Sequence, residues 1–443
     1  MTPPLDLRAE IERLPFRRLH GVVVVVLAVA TLFDGYDVFV PTYVIPYASR
    51  AWRLLPSEAG LLVSSGLVGF MVGALLNGVL ADRIGRKPVL AAALLLAGLG
   101  NLANATWVDS YPRFLAVRVV TGIGLGVILP LAVTLVNELA PRRIANLLLG
   151  WVMAGWSIGG VTAALAAVAL APAHGWHTLF AVGVMAGPLA AIVLGVLPES
   201  PRFLAIHGRH NEARAVLARL ASSTPERYAG AALTAPEASD DAGSFAQLLA
   251  PHVRNRTLIV WACSGLSLFA IFGLSSWTPE IMFERGAPIR TSFALGAVLQ
   301  FAAVLGGLGC GWAADRSGRD RILIASWVLG AVAVIALALI PRPGADIVSL
   351  AIAGFCIMGA QPVLNNFTAA LYETRIRSTG VGAQLGVGRL GGILGPYVGG
   401  WLQQLFPGSA ALFLVMACAL VSCALLVRRV QRRPLPESAP SIE

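Results

Sequence analysis

Twelve apolar stretches succeed one another along the chain, at 20–48, 57–81, 88–107, 112–139, 144–171, 177–197, 257–284, 290–314, 321–341, 345–372, 378–406 and 409–428. Each is long enough to cross about 30 Å of hydrocarbon as a helix rising about 1.5 Å per residue. A spanning segment must satisfy its own backbone hydrogen bonds, so these segments are helices. Only 13% of the 443 residues are charged, against about 25% in soluble domains. The 57% hydrophobic content excludes a disordered chain. The sequence therefore predicts an all-α membrane protein with twelve transmembrane helices.

The one long polar segment is 198–256, with Pro225, Pro236, Ser239, Asp240, Asp241 and Gly243. It reads as a cytoplasmic linker carrying one short amphipathic helix near 209–221. The expected domains are an N-terminal six-helix bundle (1–197), this linker (198–256), a C-terminal six-helix bundle (257–428) and a cytoplasmic tail (429–443). Orientation follows from Lys and Arg. Of 33 such residues, 25 fall on the side of the two termini, 6 on the opposite side, and Arg118 and Arg389 inside spans. Both termini are expected in the cytoplasm, with the chain multi-pass in the cell inner (plasma) membrane. The same bias explains the net charge of +10 without any nucleic-acid partner.

Several chemistries are excluded. The single lysine, Lys87, precedes Pro88, so the Gly-Lys-Ser/Thr of a phosphate-binding loop is missing. Cys263, Cys310, Cys356, Cys418 and Cys423 lack the paired spacing of a metal or haem site. The six histidines lie in loops or at span ends, which disfavours an intramembrane enzyme. No cofactor and no metal are expected, and nothing marks an oligomer face, so the expected unit is a monomer in the bilayer.

The chain repeats itself. Gly78-Val-Leu-Ala-Asp82-Arg83-Ile-Gly85-Arg86-Lys87 follows the second stretch, and Gly311-Trp-Ala-Ala-Asp315-Arg316-Ser-Gly318-Arg319 follows the eighth. Two similar halves, each of six spans, suit alternating access, in which the halves rock around a site between them. Gly78 is expected to allow close packing. Asp82, Arg83, Arg86, Asp315, Arg316 and Arg319 are expected to form a cytoplasmic latch, with Asp82 facing the positive end of a helix in the other half. Positive-inside topology plus capping is the plainer reading of the arginines. Glu138 reads as a local salt bridge with Arg142 and Arg143, or else as a gate.

These loops resemble those of the major facilitator superfamily, as does Pro198-Glu199-Ser200-Pro201-Arg202-Phe203-Leu204. A narrower resemblance rests on Asp34-Gly35-Tyr36-Asp37, on Arg118 with Thr121-Gly122-Ile-Gly124-Leu-Gly126, and on Gly359-Ala360-Gln361. Arg377-Ser-Thr-Gly380-Val-Gly382 and Gly386-Val-Gly388-Arg389-Leu-Gly391 complete it. Together they are similar to the aromatic acid:proton symporters. The sequence departs at Glu373, where that family has proline, and matches only partly at Ser275-Ser276-Trp277-Thr278-Pro279. The resemblance implies two pseudo-symmetric six-helix bundles, a gating role for Arg377, and import of a small organic anion with protons, the anion being an aromatic carboxylate.

Asp34 and Asp37 interrupt an uncharged run from Gly21 to Ser49. Each buried charge costs about 2.5–3.5 kcal/mol on insertion scales, and spacing i, i+3 puts both on one helix face. They are the candidate proton carriers, with a structural capped pair as the alternative. Arg118 and Arg389 are candidate forks for a substrate carboxylate; a permanent pair of Arg118 with Asp34 is the alternative for the first. Gln361 and Asn365 share a face and read equally as substrate contacts or helix–helix glue. Tyr36 and Trp277 are candidates to stack on a substrate ring, a reading that the resemblance alone supports. A drug exporter and a ligand-binding sensor remain the competing functions.

Overall fold

The computed structural model describes residues 5–224, 228, 233–234, 245–373, 376–406 and 408–431. Most of the linker from Pro225 to Ser244, and the tail beyond 431, lie outside the described residues.

Asp6 starts the first helix, α1 (Leu7–Arg13): its carboxylate accepts from the backbone N–H of Arg8 at 2.9 Å. Sequence reasoning passed over this helix because it is only two turns long. Leu7 and Ile11 bury its apolar side. A two-residue strand, β1 (Leu5–Asp6), pairs in parallel with β2 (Leu233–Thr234). Glu10 accepts from the Tyr228 hydroxyl at 2.9 Å, so the N-terminus is tied to the linker. The linker's amphipathic helix is present as α10 (His210–Ala221), preceded by the short α9 (Pro201–Ile206).

The first half then supplies α2 (Arg18–Ala51), α3 (Pro56–Ile84), α4 (Arg86–Thr106), α5 (Tyr111–Leu139) and α6 (Ala145–His174). Its sixth span is the pair α7 (His177–Gly183) and α8 (Ala186–Val196). The second half supplies α11 (Arg254–Glu284), α12 (Ile289–Ser317) and α13 (Arg319–Leu339). Its fourth span is α14 (Pro343–Ala353) and α15 (Ala360–Leu371), and α16 (Arg377–Leu405) and α17 (Ala410–Gln431) complete it. Both broken spans have a proline in the first turn of their second helix, Pro188 and Pro362. Proline removes one backbone donor and is tolerated there. In the fourth span of the second half the ladder widens into a π stretch at Gly354–Met358.

Among the described residues, eleven spans are apolar enough to cross a membrane by length and composition. The twelfth membrane-length helix is α16, whose glycines and Arg389 lower its hydropathy. The expected twelve-helix all-α architecture is what the structure has.

The chain forms two compact units. The first comprises Met1–Asp241 with Ser275–Gln300 and Pro396–Leu405; the second comprises Ala242–Leu274, Phe301–Gly395 and Phe406–Glu443. Backbones in the first approach closely where side chains are small. A methyl group at Gly35 would fall on the Trp156 carbonyl, binding α2 to α6. Gly78 behaves otherwise: a methyl there would meet nothing within 4 Å, so the expectation that it serves close packing is corrected. In the second unit, Gly391 of α16 sits against the Gly265 backbone of α11.

Candidate functional site

The first unit holds a buried charge cluster. Asp34 and Asp37 lie on α2, 0% and 1% exposed. Arg118, on α5, is 2% exposed and places Nη1 2.5 Å from Asp37 Oδ1. Its Nη2 donates to the Asp37 carbonyl at 3.1 Å. Asn101, on α4, donates to the other carboxylate oxygen at 2.7 Å. The guanidinium lies 5.7 Å from the Phe180 ring centre. A buried charge is tolerable only when paired and hydrogen-bonded, and here both conditions are met from three helices. The sequence left open a pair between Arg118 and Asp34; the structure puts Arg118 on Asp37. Asn101 was missed: an asparagine in an apolar stretch reads as helix glue until its partner is known.

The two aromatic candidates are held by backbone carbonyls. The Tyr36 hydroxyl donates to Leu179 at 2.6 Å, and the Trp277 indole donates to Pro396 at 2.9 Å. Both side chains are buried, 1% and 2% exposed.

The second unit carries a polar network. Gln384 of α16 donates to Ser264 of α11 at 2.9 Å and to Asn365 of α15 at 3.3 Å. Ser267 donates to Gln361 at 3.2 Å. Gln361 and Asn365 are thus joined to α11 and α16, through Ser264, Ser267 and Gln384, which sequence reasoning passed over. Arg389 and Arg377 both lie on α16, the first half-buried and the second exposed.

The first copy of the repeated loop is built as a charge relay. Arg86 lies 2.8 Å from Asp82 and 3.3 Å from Glu138. Glu138 therefore pairs with Arg86, a correction of the expected pairing with Arg142 and Arg143; Arg142 lies 3.5 Å from Glu12 of α1 instead. Glu199 accepts from the backbone N–H groups of Arg86 and Lys87 at 3.1 and 3.2 Å. Those N–H groups begin α4, where a carboxylate is favoured by the helix dipole. The N-terminus of α4 is thus capped by Glu199. The second copy differs: among the described residues Asp315 has no ion pair, Arg316 lies over the Trp312 ring at 4.0 Å, and Arg319 donates to the Asn366 carbonyl at 3.4 Å. Arg83 is exposed.

Asp82→Asn removes one partner of Arg86 and leaves Glu138. The expected result is slower transport with equilibrium ligand binding altered by less than about tenfold, roughly 1.4 kcal/mol. Titration calorimetry on the purified variant beside initial uptake rates checks it.

A family model described as sugar (and other) transporter matches residues 23–431. The 4-hydroxybenzoate transporter PcaK of Pseudomonas putida is 33% identical over 407 residues, covering 90% of each chain. A gallate transporter of Pseudomonas putida is 32% identical over 428 residues, covering 96% of this chain and 94% of its own. The benzoate transport protein of Acinetobacter baylyi is 28% identical over 429 residues, covering 95% and 92%. Among solved structures, the inward open conformation of the xylose transporter XylE from E. coli has a TM-score of 0.74 at 18% identity, covering 95% of this chain and 98% of that one. An inward-facing, unoccupied bacterial homolog of the human lysosomal transporter Spinster reaches 0.76 at 17%, covering 96% and 100%. Identities this low speak for the fold alone. The resemblance to the major facilitator superfamily and its aromatic acid carriers is borne out.

Proposed function

Because the chain belongs to the sugar (and other) transporter family, we propose that it is a multi-pass proton-coupled symporter importing a small aromatic carboxylate, of the benzoate or hydroxybenzoate kind. The relatives' names supply the substrate class. The observation that supports the mechanism is the Arg118–Asp37 pair, 2.5 Å long and nearly inaccessible. Arg118 can satisfy one carboxylate with its fork. In our reading, a proton on Asp37 releases that fork and the substrate carboxylate takes it. One proton then enters with one anion, and the buried charge count never changes. Loss of the proton to the cytoplasm lets Asp37 reclaim Arg118 and expels the substrate. Asp34 is the second candidate proton carrier, Arg389 the second anion receptor. Gln361 and Asn365 act beside the substrate, and Arg377 and the loop relay take part in gating. The protein works as a monomer in the inner membrane with both termini cytoplasmic, and carries out no covalent chemistry.

Purified protein in liposomes, with an inward proton gradient and radiolabelled benzoate or 4-hydroxybenzoate, tests this. Accumulation above equilibrium that a protonophore abolishes is expected; accumulation only under an outward gradient would make it an exporter. Arg389→Gln is expected to lose binding, uptake and exchange together. Arg389→Lys recovers only part, because an ammonium cannot form the planar fork. Intact binding in Arg389→Gln would remove Arg389 from the substrate.

A further inference from the structure

Within the first unit, α2, α6 and the part of α12 up to Gln300 bring a second polar pair among aromatic rings, away from the charge cluster. Phe39 and Tyr43 lie one turn apart on α2, 3% and 2% exposed. The Trp156 ring of α6 meets Phe39 edge-on, centres 5.4 Å apart. Phe293 of α12 meets Tyr43 in the same way, also at 5.4 Å. Gln300 lies two turns beyond Phe293, 5% exposed. Its amide reaches Gly160 of α6: a methyl at Gly160 would stand 2.7 Å from Gln300 Nε2 and 3.0 Å from the Phe39 ring. The missing side chain at 160 is what lets the amide approach this ring.

Among the described residues, two buried polar atoms here have no hydrogen-bond partner, Gln300 Oε1 and Trp156 Nε1. An orphaned buried group costs about 1–3 kcal/mol, and native structures keep few of them. One is an acceptor and the other a donor. Trp156 and Gly160 are one helical turn apart, about 6 Å along the axis. Both side chains border the Phe39 ring: Trp156 meets it edge-on, and Gln300 reaches it past Gly160. A hydroxyl has the chemistry that both lack: it can donate its proton to an amide oxygen and accept from an indole N–H. A carboxylate cannot donate to Gln300, and an ammonium cannot accept from Trp156. The rings around the pair suit a flat apolar body carrying that hydroxyl.

We propose that Gln300 and Trp156 read a ring hydroxyl and so set the preference of this carrier for hydroxylated aromatic acids over the unsubstituted acid. The proposal rests on the aromatic-carboxylate reading above. Sites built to hydrogen-bond a substrate hydroxyl reject analogues lacking it far more strongly than apolar pockets reject a change of size.

The test is competition against uptake in proteoliposomes, with benzoate and its three monohydroxy isomers as probes. In the wild type at least one isomer is expected to compete roughly tenfold or more better than benzoate. Gln300→Met keeps length and removes the acceptor. It is expected to bring that ratio within about threefold. Trp156→Phe removes the donor and lowers the same ratio; it decides the matter if Gln300→Met does not fold. An unchanged ratio in the variants, or no preference in the wild type, overturns the proposal and leaves a bridging water as the partner of both atoms. Wild-type protein that takes up none of the four acids would instead overturn the aromatic-carboxylate reading itself.

Discussion

Asp37→Asn is expected to abolish uphill uptake driven by a pH gradient and to leave substrate-for-substrate exchange in place. With asparagine at 37, Arg118 keeps a neutral neighbour in the arrangement that the protonated acid would present. Substrate can then occupy the fork without a proton, and the loaded carrier still cycles. Gradient-driven uptake and counterflow measured on the same proteoliposomes separate the two outcomes; normal uphill uptake in Asp37→Asn would sink the assignment. The converse change is harsher. Arg118→Gln strips the cation from a carboxylate that is 1% exposed. Breaking a buried pair from one side costs about 3–5 kcal/mol, a large part of the stability of most proteins. Its purified yield and unfolding temperature should both fall. The double variant Asp37→Asn with Arg118→Gln removes the stranded charge, so unfolding temperature returns toward wild type while coupled uptake does not. A double variant no more stable than Arg118→Gln would mean that the two residues do not form one unit. If Asp34→Asn alone gives the uncoupled phenotype, the proton belongs three residues earlier on α2.

The charge cluster illustrates what a sequence can and cannot disclose. Asp37 and Arg118 stand out because ionised residues are costly within a span. Their pairing does not, since 81 residues separate them and the choice between Asp34 and Asp37 depends on how α5 is rotated against α2. Asn101, Gln300 and Trp156 are harder still. An amide or an indole within a span is cheap enough to be packing, and only its neighbours tell otherwise. Glu138 misled because Arg142 and Arg143 are close in sequence, whereas Arg86, 52 residues away, is close in space. Helix count and the repeated loop were legible because both are carried by runs of residues. Breaks within spans were not, although Pro188 and Pro362 mark them once proline is read as a first-turn residue. The glycines of α5 lie between these cases: their pattern is visible, and their purpose requires the partner helix.

That purpose yields the second large effect. Gly122→Leu is expected to leave little folded protein, whereas Gly78→Ala is expected to fold as well as the wild type or slightly better. A methyl at Gly122 would fall on the Gly66 carbonyl of α3 and stand 2.9 Å from the Phe70 nitrogen. One turn on, a methyl at Gly126 would meet the Phe70 carbonyl and the Ala74 nitrogen, the latter at 2.8 Å. Apolar atoms rest about 3.5–4.0 Å apart, so any side chain here drives α3 and α5 apart by roughly 1 Å or more. Arg118 sits one turn before Gly122, and a methyl at Gly66 would already stand 3.0 Å from its Nη2. Moving α5 therefore carries the guanidinium away from Asp37, and a hydrogen bond stretched by that much is lost. Overpacking and a broken buried ion pair then act together, and the second exceeds the usual 1–3 kcal/mol of the first. Gly122→Ala, with the smallest intrusion, should fold with a lowered unfolding temperature and impaired uptake. Gly78 has no atom within 4 Å of the added methyl, and alanine favours a helix over glycine by about 1 kcal/mol. Monodispersity on size-exclusion chromatography and unfolding temperature in detergent, compared across the three variants, provide the check. Wild-type folding and uptake in Gly122→Leu would show that α3 and α5 do not hold Arg118 in place by backbone contact.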